Sequence, residues 1–271
     1  METNKLRTPA SKNVIISSNN PQNIAKRVPF AVVEAYKTIR TNILFLIAQN
    51  NGKVIALSSA DAGEGKSTTS INLAVSFAQL NKKVLLVDAD MRRSSIHKKL
   101  KLSNETGLSN ILAGFTSLEE GTFKYTDYLD IITAGPIPPN PSELLSSTAF
   151  DDFIEKAKEK YDYVFIDTPP VNIVSDTLVL APKTDGLIFL VRNGYTPHDE
   201  FEQALEAAKL ANINVMGAIM NGTNPDESRY FKYKYKYRYR YRYGRYSKYG
   251  KYKYYNYGSK KTPSYEYKKY D

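Results

Sequence analysis

The sequence predicts an α/β fold with a mostly parallel, doubly wound sheet. Three observations carry that prediction. Short apolar runs of strand length recur along the chain, and stretches with helical spacing of apolar positions lie between them. The runs are apolar nearly throughout, as strands covered on both faces must be. Several end abruptly in acidic or glycine-containing turns.

From Phe30 to Ala48, the residues Val33, Tyr36, Ile39, Ile43, Leu44 and Ile47 recur at helical spacing, and Phe45-Leu46-Ile47 is apolar all round. On the other face Glu34, Lys37 and Arg40 lie three apart, which by itself suits solvated charges in weak i,i+3 contacts. Residues 54–57 read as a buried strand, and the next helix carries the stripe Ile71, Leu73, Ala74, Phe77 and Ala78. Residues 83–87 form a second strand, followed by a short helix near 107–114 and a strand over 128–133. Residues 136–141 make a proline-rich loop. Ser142 is expected to cap the helix after it, with a further amphipathic segment over 150–160. Residues 163–166 form a strand stopped by Asp167-Thr168-Pro169-Pro170, and two more cover 186–191 and 215–220, separated by a helix over 197–211. Ligands of such sheets sit beyond the carboxyl ends of the strands. Residues 58–66, Asp88 and Asp167 all fall at such ends, so one pocket is implied.

A chain of 271 residues suits one such domain of about 220 residues with appendages. It has no cysteine, which excludes a disulfide framework and thiolate metal sites and fits a reducing compartment. Its two histidines, His97 and His198, are far apart and expected at the surface, so neither a zinc pair nor a histidine base is expected. No apolar run reaches spanning length, and the polar, basic residues 1–12 are no secretory signal. The net charge of +10 is unevenly divided: residues 229–271 hold 15 basic residues against 2 acids and 16 of the 22 tyrosines. The chain therefore divides into a flexible polar arm (1–28), a globular domain (29–228) and a tail (229–271) carrying +13, with residues 1–228 together carrying −3. The tail alternates Lys or Arg with Tyr, a strand period. With no aliphatic residue to bury, like charges repelling and glycines interrupting, it is expected to be disordered. Stacking of a single-stranded nucleic acid on its tyrosines stays open on composition alone.

The chemistry gathers at the first strand. Strand, then Gly63-Glu64-Gly65-Lys66-Ser67-Thr68, then helix is a phosphate cradle. Backbone N–H groups of residues 63–66 can turn toward one anion because glycine has no Cβ, and the helix start adds unsatisfied donors. Lys66 would reach the β- and γ-phosphates and the Ser67 hydroxyl would ligate Mg²⁺. The full motif begins with glycine six residues before the lysine, where this chain has Ala60. Asp167 closes an apolar strand where a Walker-B aspartate holds the metal. Asp88-Ala89-Asp90-Met91-Arg92-Arg93 brings two further acids and two arginines to a neighbouring strand end. Mg²⁺ keeps several waters, so at least one carboxylate is spare to take a proton from an attacking hydroxyl. Asp88 is the expected base, with Asp90 supporting the metal shell of Ser67, Asp88 and Asp167. Arg92 or Arg93 would neutralise phosphate charge during transfer.

Three motifs resemble the bacterial tyrosine kinases of Gram-positive capsule and exopolysaccharide loci. They are the loop over 56–67, Leu-Leu-Val-Asp-Ala-Asp-Met-Arg over 85–92, and Val-Phe-Ile-Asp-Thr-Pro-Pro over 164–170. The resemblance implies a P-loop NTPase fold of the partitioning-ATPase-like class, with ATP and Mg²⁺ held by Lys66, Ser67, Asp88, Asp90 and Asp167. It implies autophosphorylation within the terminal cluster, with Tyr233, Tyr235, Tyr237, Tyr239, Tyr241, Tyr243, Tyr246, Tyr249, Tyr252, Tyr254, Tyr255 and Tyr257 as acceptors. It further implies a ring-like homo-oligomer packed through a Glu-x-x-Arg-x-x-Arg face. Glu34 and Arg40 match that face, while Lys37 replaces an arginine and loses its bidentate geometry. The implied partners are a transmembrane polysaccharide co-polymerase adaptor that activates the kinase, a cognate tyrosine phosphatase and exogenous protein substrates. Nucleic acid is not expected. The location implied is cytoplasmic, recruited to the inner face of the membrane through the adaptor. The rival reading is a partitioning or division-site ATPase switch with a nucleic-acid- or membrane-binding tail. Many of those carry a lysine five residues before the loop lysine, where this chain has Asp61. Asn221, after the last strand, is a candidate adenine contact.

Overall fold

The structure is a computed structural model that describes residues 30–48 and 52–223. The expectations for the arm over 1–28, and for the tail and its acceptor tyrosines over 229–271, fall outside the described residues. Within them, α1 (Phe30–Ala48) precedes β1 (Val54–Ser59), α2 (Lys66–Ala78) and β2 (Val84–Asp88). Two short helices, α3 (Ile96–Leu100) and α4 (Leu108–Leu112), lead to β3 (Phe123–Thr126) and β4 (Leu129–Ile132). Then come α5 (Pro141–Ser146), α6 (Thr148–Lys160), β5 (Tyr163–Asp167), α7 (Asp176–Leu180) with a 3₁₀ turn (Ala181–Lys183), β6 (Gly186–Arg192), α8 (His198–Leu210) and β7 (Val215–Asn221).

The strands form one sheet in the order β3-β4-β2-β5-β1-β6-β7. Every pairing is parallel except β3 with β4. Strand periodicity assigns alternate side chains to opposite faces. Val54 and Ala56 of β1 pack with Phe150, Phe153 and Ile154 of α6 and Ala204 and Ala208 of α8. Ile55 and Leu57 pack on the other face with Ile43 and Ile47 of α1 and Ile71, Ala74 and Phe77 of α2. Both faces are therefore covered, which is why the strands read as continuous apolar runs. The ring of Phe77 meets those of Tyr163 and Phe165 edge-on at 4.9 Å, seating α2 on the sheet beside β5. Burial of such a ring stabilises the fold by roughly 2–3 kcal/mol.

Some local expectations are corrected. Ser142 is not the cap of α5: Asn140 holds that place, Pro141 opens the helix, and the Ser142 hydroxyl bonds Asp176 instead. At the apolar end of α1, Ile47 is buried while Phe45 is 69% exposed. His198 is exposed, but His97 is half-buried. The segments α3, β3 and α7 were not foreseen; each has five residues or fewer, too short to show a period.

Candidate active site

The centre of the sheet supplies the floor of the site. β1 lies between β5 and β6, so the chain leaves it where neighbouring crossovers run to opposite sides. The loop that follows takes left-handed backbone at Gly63 (φ 82°) and Gly65 (φ 99°). The left-handed backbone at Gly65 disfavours any larger residue, and a Cβ there would stand 2.3 Å from Asn221 Nδ2 and displace that amide. Lys66 is the first residue of α2 and lies buried, with Nζ donating to Ser59 Oγ at 3.0 Å. Burial lowers its pKa, opposed first by Asp167 and then by Asp90. A buried cationic group at a helix start is suited to receive an anion.

Asp88 and Asp167 are cross-strand neighbours on β2 and β5, and both are buried. Asp167 accepts from Ser70 Oγ at 2.9 Å through Oδ1, while its buried Oδ2 has no partner. Burial pushes its carboxyl up to about 6, against hydrogen bonds from Ser67 and Ser70 and the charge of Lys66. An orphaned carboxylate oxygen beside a buried lysine and a serine hydroxyl fits the shell of a hydrated Mg²⁺, which keeps most of its waters. Asp88, expected as the base, is enclosed instead. Its oxygens accept backbone N–H from Asp90 at 3.2 Å and from Ser95 and Ile96 at 3.1 Å. The turn after β2 folds over it so that the start of α3 points at its carboxylate. Burial, then the nearby Asp167, hold it well above the usual carboxylate range. Asp90 is the acid of this motif that faces the cleft.

That cleft, about 530 Å³, is lined on one side by Gly63, Gly65, Lys66, Ser67 and Thr68, with Asp90, Arg93 and Lys99 also on its wall. Pro169, Pro170, Ile173 and Val174 give it an apolar shelf. The Glu64 side chain turns inward, where it accepts the Asp61 N–H at 3.0 Å, and burial raises its pKa. Arg92 reaches the cleft rim, but its fork is taken by Asp176 rather than left for phosphate, with Nε at 2.8 Å and Nη2 at 3.0 Å. Asn221 does not stand free for adenine: its Nδ2 donates to the Glu64 carbonyl at 2.9 Å. On α1, Lys37 pairs with Glu34 at 2.8 Å in the open, whereas Arg40 donates to the Ser76 carbonyl of α2. The sequence reading missed Ser59, Ser70 and Asp176, and also Arg192 and Tyr195 beyond β6. Arg192-Asn193-Gly194, at the carboxyl end of a strand, was the available signal for the last two.

Strand, left-handed glycines, buried lysine and paired strand-end acids define a P-loop nucleotide-binding domain, and the family model that matches residues 52–189 is described as an AAA domain. The sequence is 41% identical over 201 residues to the tyrosine-protein kinase YwqD of Bacillus subtilis (strain 168), spanning 74% of this chain and 85% of that one. The kinase domain of the Escherichia coli tyrosine kinase ETK matches with a TM-score of 0.72 at 33% identity, over 81% of this chain and 84% of that chain. The chimerical protein CapA2B2 matches with a TM-score of 0.70 at 32% identity, over 79% of this chain and 94% of that chain. This chain belongs to the bacterial tyrosine-kinase family.

Proposed function

We propose that the chain is an ATP-dependent protein-tyrosine autokinase that modifies its own C-terminal cluster, in trans within a ring-like homo-oligomer, and so regulates capsular or exopolysaccharide synthesis and export. The observation that carries the reading is Lys66, buried at the head of α2 and lining the cleft together with Ser67 and Asp90, with the charge of Asp167 near enough to oppose the fall of its pKa. Phosphoryl transfer asks a protein mainly for positioning and charge. The N–H groups of residues 63–68 and Lys66 hold the triphosphate. Ser67 and Asp167 would hold Mg²⁺, which when bound would supply charge neutralisation at the transferring group. Pro169, Pro170, Ile173 and Val174 offer the acceptor ring an apolar seat. Asp90 lines the cleft and takes the phenol proton, while Asp88 fixes the Asp90 backbone through its N–H. Low dielectric in this cleft strengthens each of these contacts.

The partners in this reading are a transmembrane polysaccharide co-polymerase adaptor as activator, a cognate tyrosine phosphatase and exogenous protein substrates. The protein works at the cytoplasmic face of the membrane, reached through the adaptor. Among the described residues no helix is long and apolar enough to cross a membrane. Incubation with γ-labelled ATP and Mg²⁺, with and without the adaptor's cytoplasmic segment, tests the whole reading. Label on terminal tyrosines, raised by the adaptor and lost in Lys66→Met, is expected. Free phosphate with unlabelled protein would give the case to the ATPase-switch reading.

A further inference from the structure

Three consecutive carbonyl groups of the phosphate loop are held from behind. Tyr195 Oη donates to the Ala62 oxygen at 3.2 Å, Arg192 Nη1 to the Gly63 oxygen at 3.0 Å, and Asn221 Nδ2 to the Glu64 oxygen at 2.9 Å. The side chains of Arg192 and Tyr195 touch, and backbone bonds hold the three residues near one another. Arg192 lies 4.9 Å above the Tyr195 ring, the Tyr195 N–H donates to the Arg192 carbonyl at 3.1 Å, and the Asn193 N–H donates to the Asn221 carbonyl at 2.9 Å. All of them sit at the carboxyl ends of β6 and β7 or in the turn between β6 and α8.

In a trans peptide the C=O and the following N–H point in opposite directions, and the described chain has no cis bond. Holding the carbonyls of Ala62, Gly63 and Glu64 outward therefore aims the N–H groups of Gly63, Glu64 and Gly65 toward the cleft. Two of those residues are glycines at positive φ, a residue type whose backbone is little restrained by itself. Left alone, such a loop would sample orientations that turn its donors away, and binding would have to freeze them.

We propose that Arg192, Tyr195 and Asn221 are positioning residues that pre-organise the phosphate loop by clamping its carbonyls, and so set its affinity for polyphosphate without touching the ligand. This rests on the nucleotide-binding reading above.

Calorimetry on the full chain separates the two ideas, with Mg-ATP and Mg-tripolyphosphate as probes. Tyr195→Phe keeps the ring and removes only the hydroxyl donor, and Arg192→Gln removes the second clamp. Each is expected to weaken both probes by the same factor, about 3- to 10-fold, the worth of one hydrogen bond. The double variant should lose less than the product of the two single losses, because both act on one loop. Melting temperature in the absence of ligand should stay within a degree or two, which a merely structural role would not allow. Unchanged binding in both variants overturns the proposal, and so does a loss confined to Mg-ATP, which would make these residues base contacts. Failure of the wild-type chain to bind either probe would bring down the nucleotide reading itself.

Discussion

Asp167 shows how much one residue carries. Its side chain is buried at the end of β5, one oxygen has no partner, and its carboxyl is pushed up to about 6 chiefly by burial. A carboxyl whose pKa is higher folded than unfolded favours folding when protonated. Its cost is absent below about pH 4, grows through pH 6, and is fully present above that. Asp167→Asn stays neutral and keeps the acceptor for Ser70. The metal-free variant should therefore be more stable than wild type at pH 8, by on the order of 1–3 kcal/mol, with the gap closing by pH 4. Thermal unfolding in EDTA across that range checks it, and a variant less stable at pH 8 would refute it. The same substitution should abolish tyrosine labelling, the pattern of a site strained for function. Lys66 and Asp167 were legible in the sequence because each sits at the junction of a strand with a turn. The division of labour between Asp88 and Asp90 was not, because it depends on where the turn to α3 lands.

Among the elements, the turn after β2 is fastened to α7 by Arg92 and Asp176. The two partners differ in burial, with side-chain exposures of 41% and 0%. Arg92→Ala strands a buried carboxylate, with Ser142 left as its remaining side-chain donor. Asp176→Asn strands a guanidinium that water can reach. The first should cost more than the second, by on the order of 1–2 kcal/mol in denaturant unfolding, because a buried unpaired charge is the expensive product. Equal costs, or a loss of nucleotide affinity from Arg92→Ala with stability intact, would return Arg92 to the phosphate role its sequence context suggested. The elements themselves were largely visible beforehand: α1 begins and ends at the residues its spacing predicted, and the strands β1, β2, β5, β6 and β7 fall within a residue or two. What escaped was the edge. β3 is four residues of Phe-Lys-Tyr-Thr, antiparallel and half-exposed, and nothing local distinguishes it from a loop.

At the scale of the whole molecule, charge is the organising quantity. Residues 229–271 carry +13 and the remainder −3, so the unmodified tail is predicted to be drawn to acidic surfaces, a neighbour's site or anionic lipid. Each phosphotyrosine brings about −1.5 to −2, so about seven to nine would neutralise the tail. Heavily phosphorylated protein should sediment with anionic vesicles much less than unmodified protein, and added salt should erase the difference; equal, salt-insensitive binding would refute it. The sequence by itself determined the layered sheet, the phosphate loop with Lys66 at its helix start, and the acids at the strand ends. These follow from alternation, helical spacing and glycine, all properties of neighbours along the chain. Only the tertiary structure decided which side chains hold that loop. Its carbonyls meet Arg192, Tyr195 and Asn221 across sequence separations of 129, 133 and 157 residues. Contacts of that range are set by the order in which crossovers stack the strands, and no local spacing encodes them.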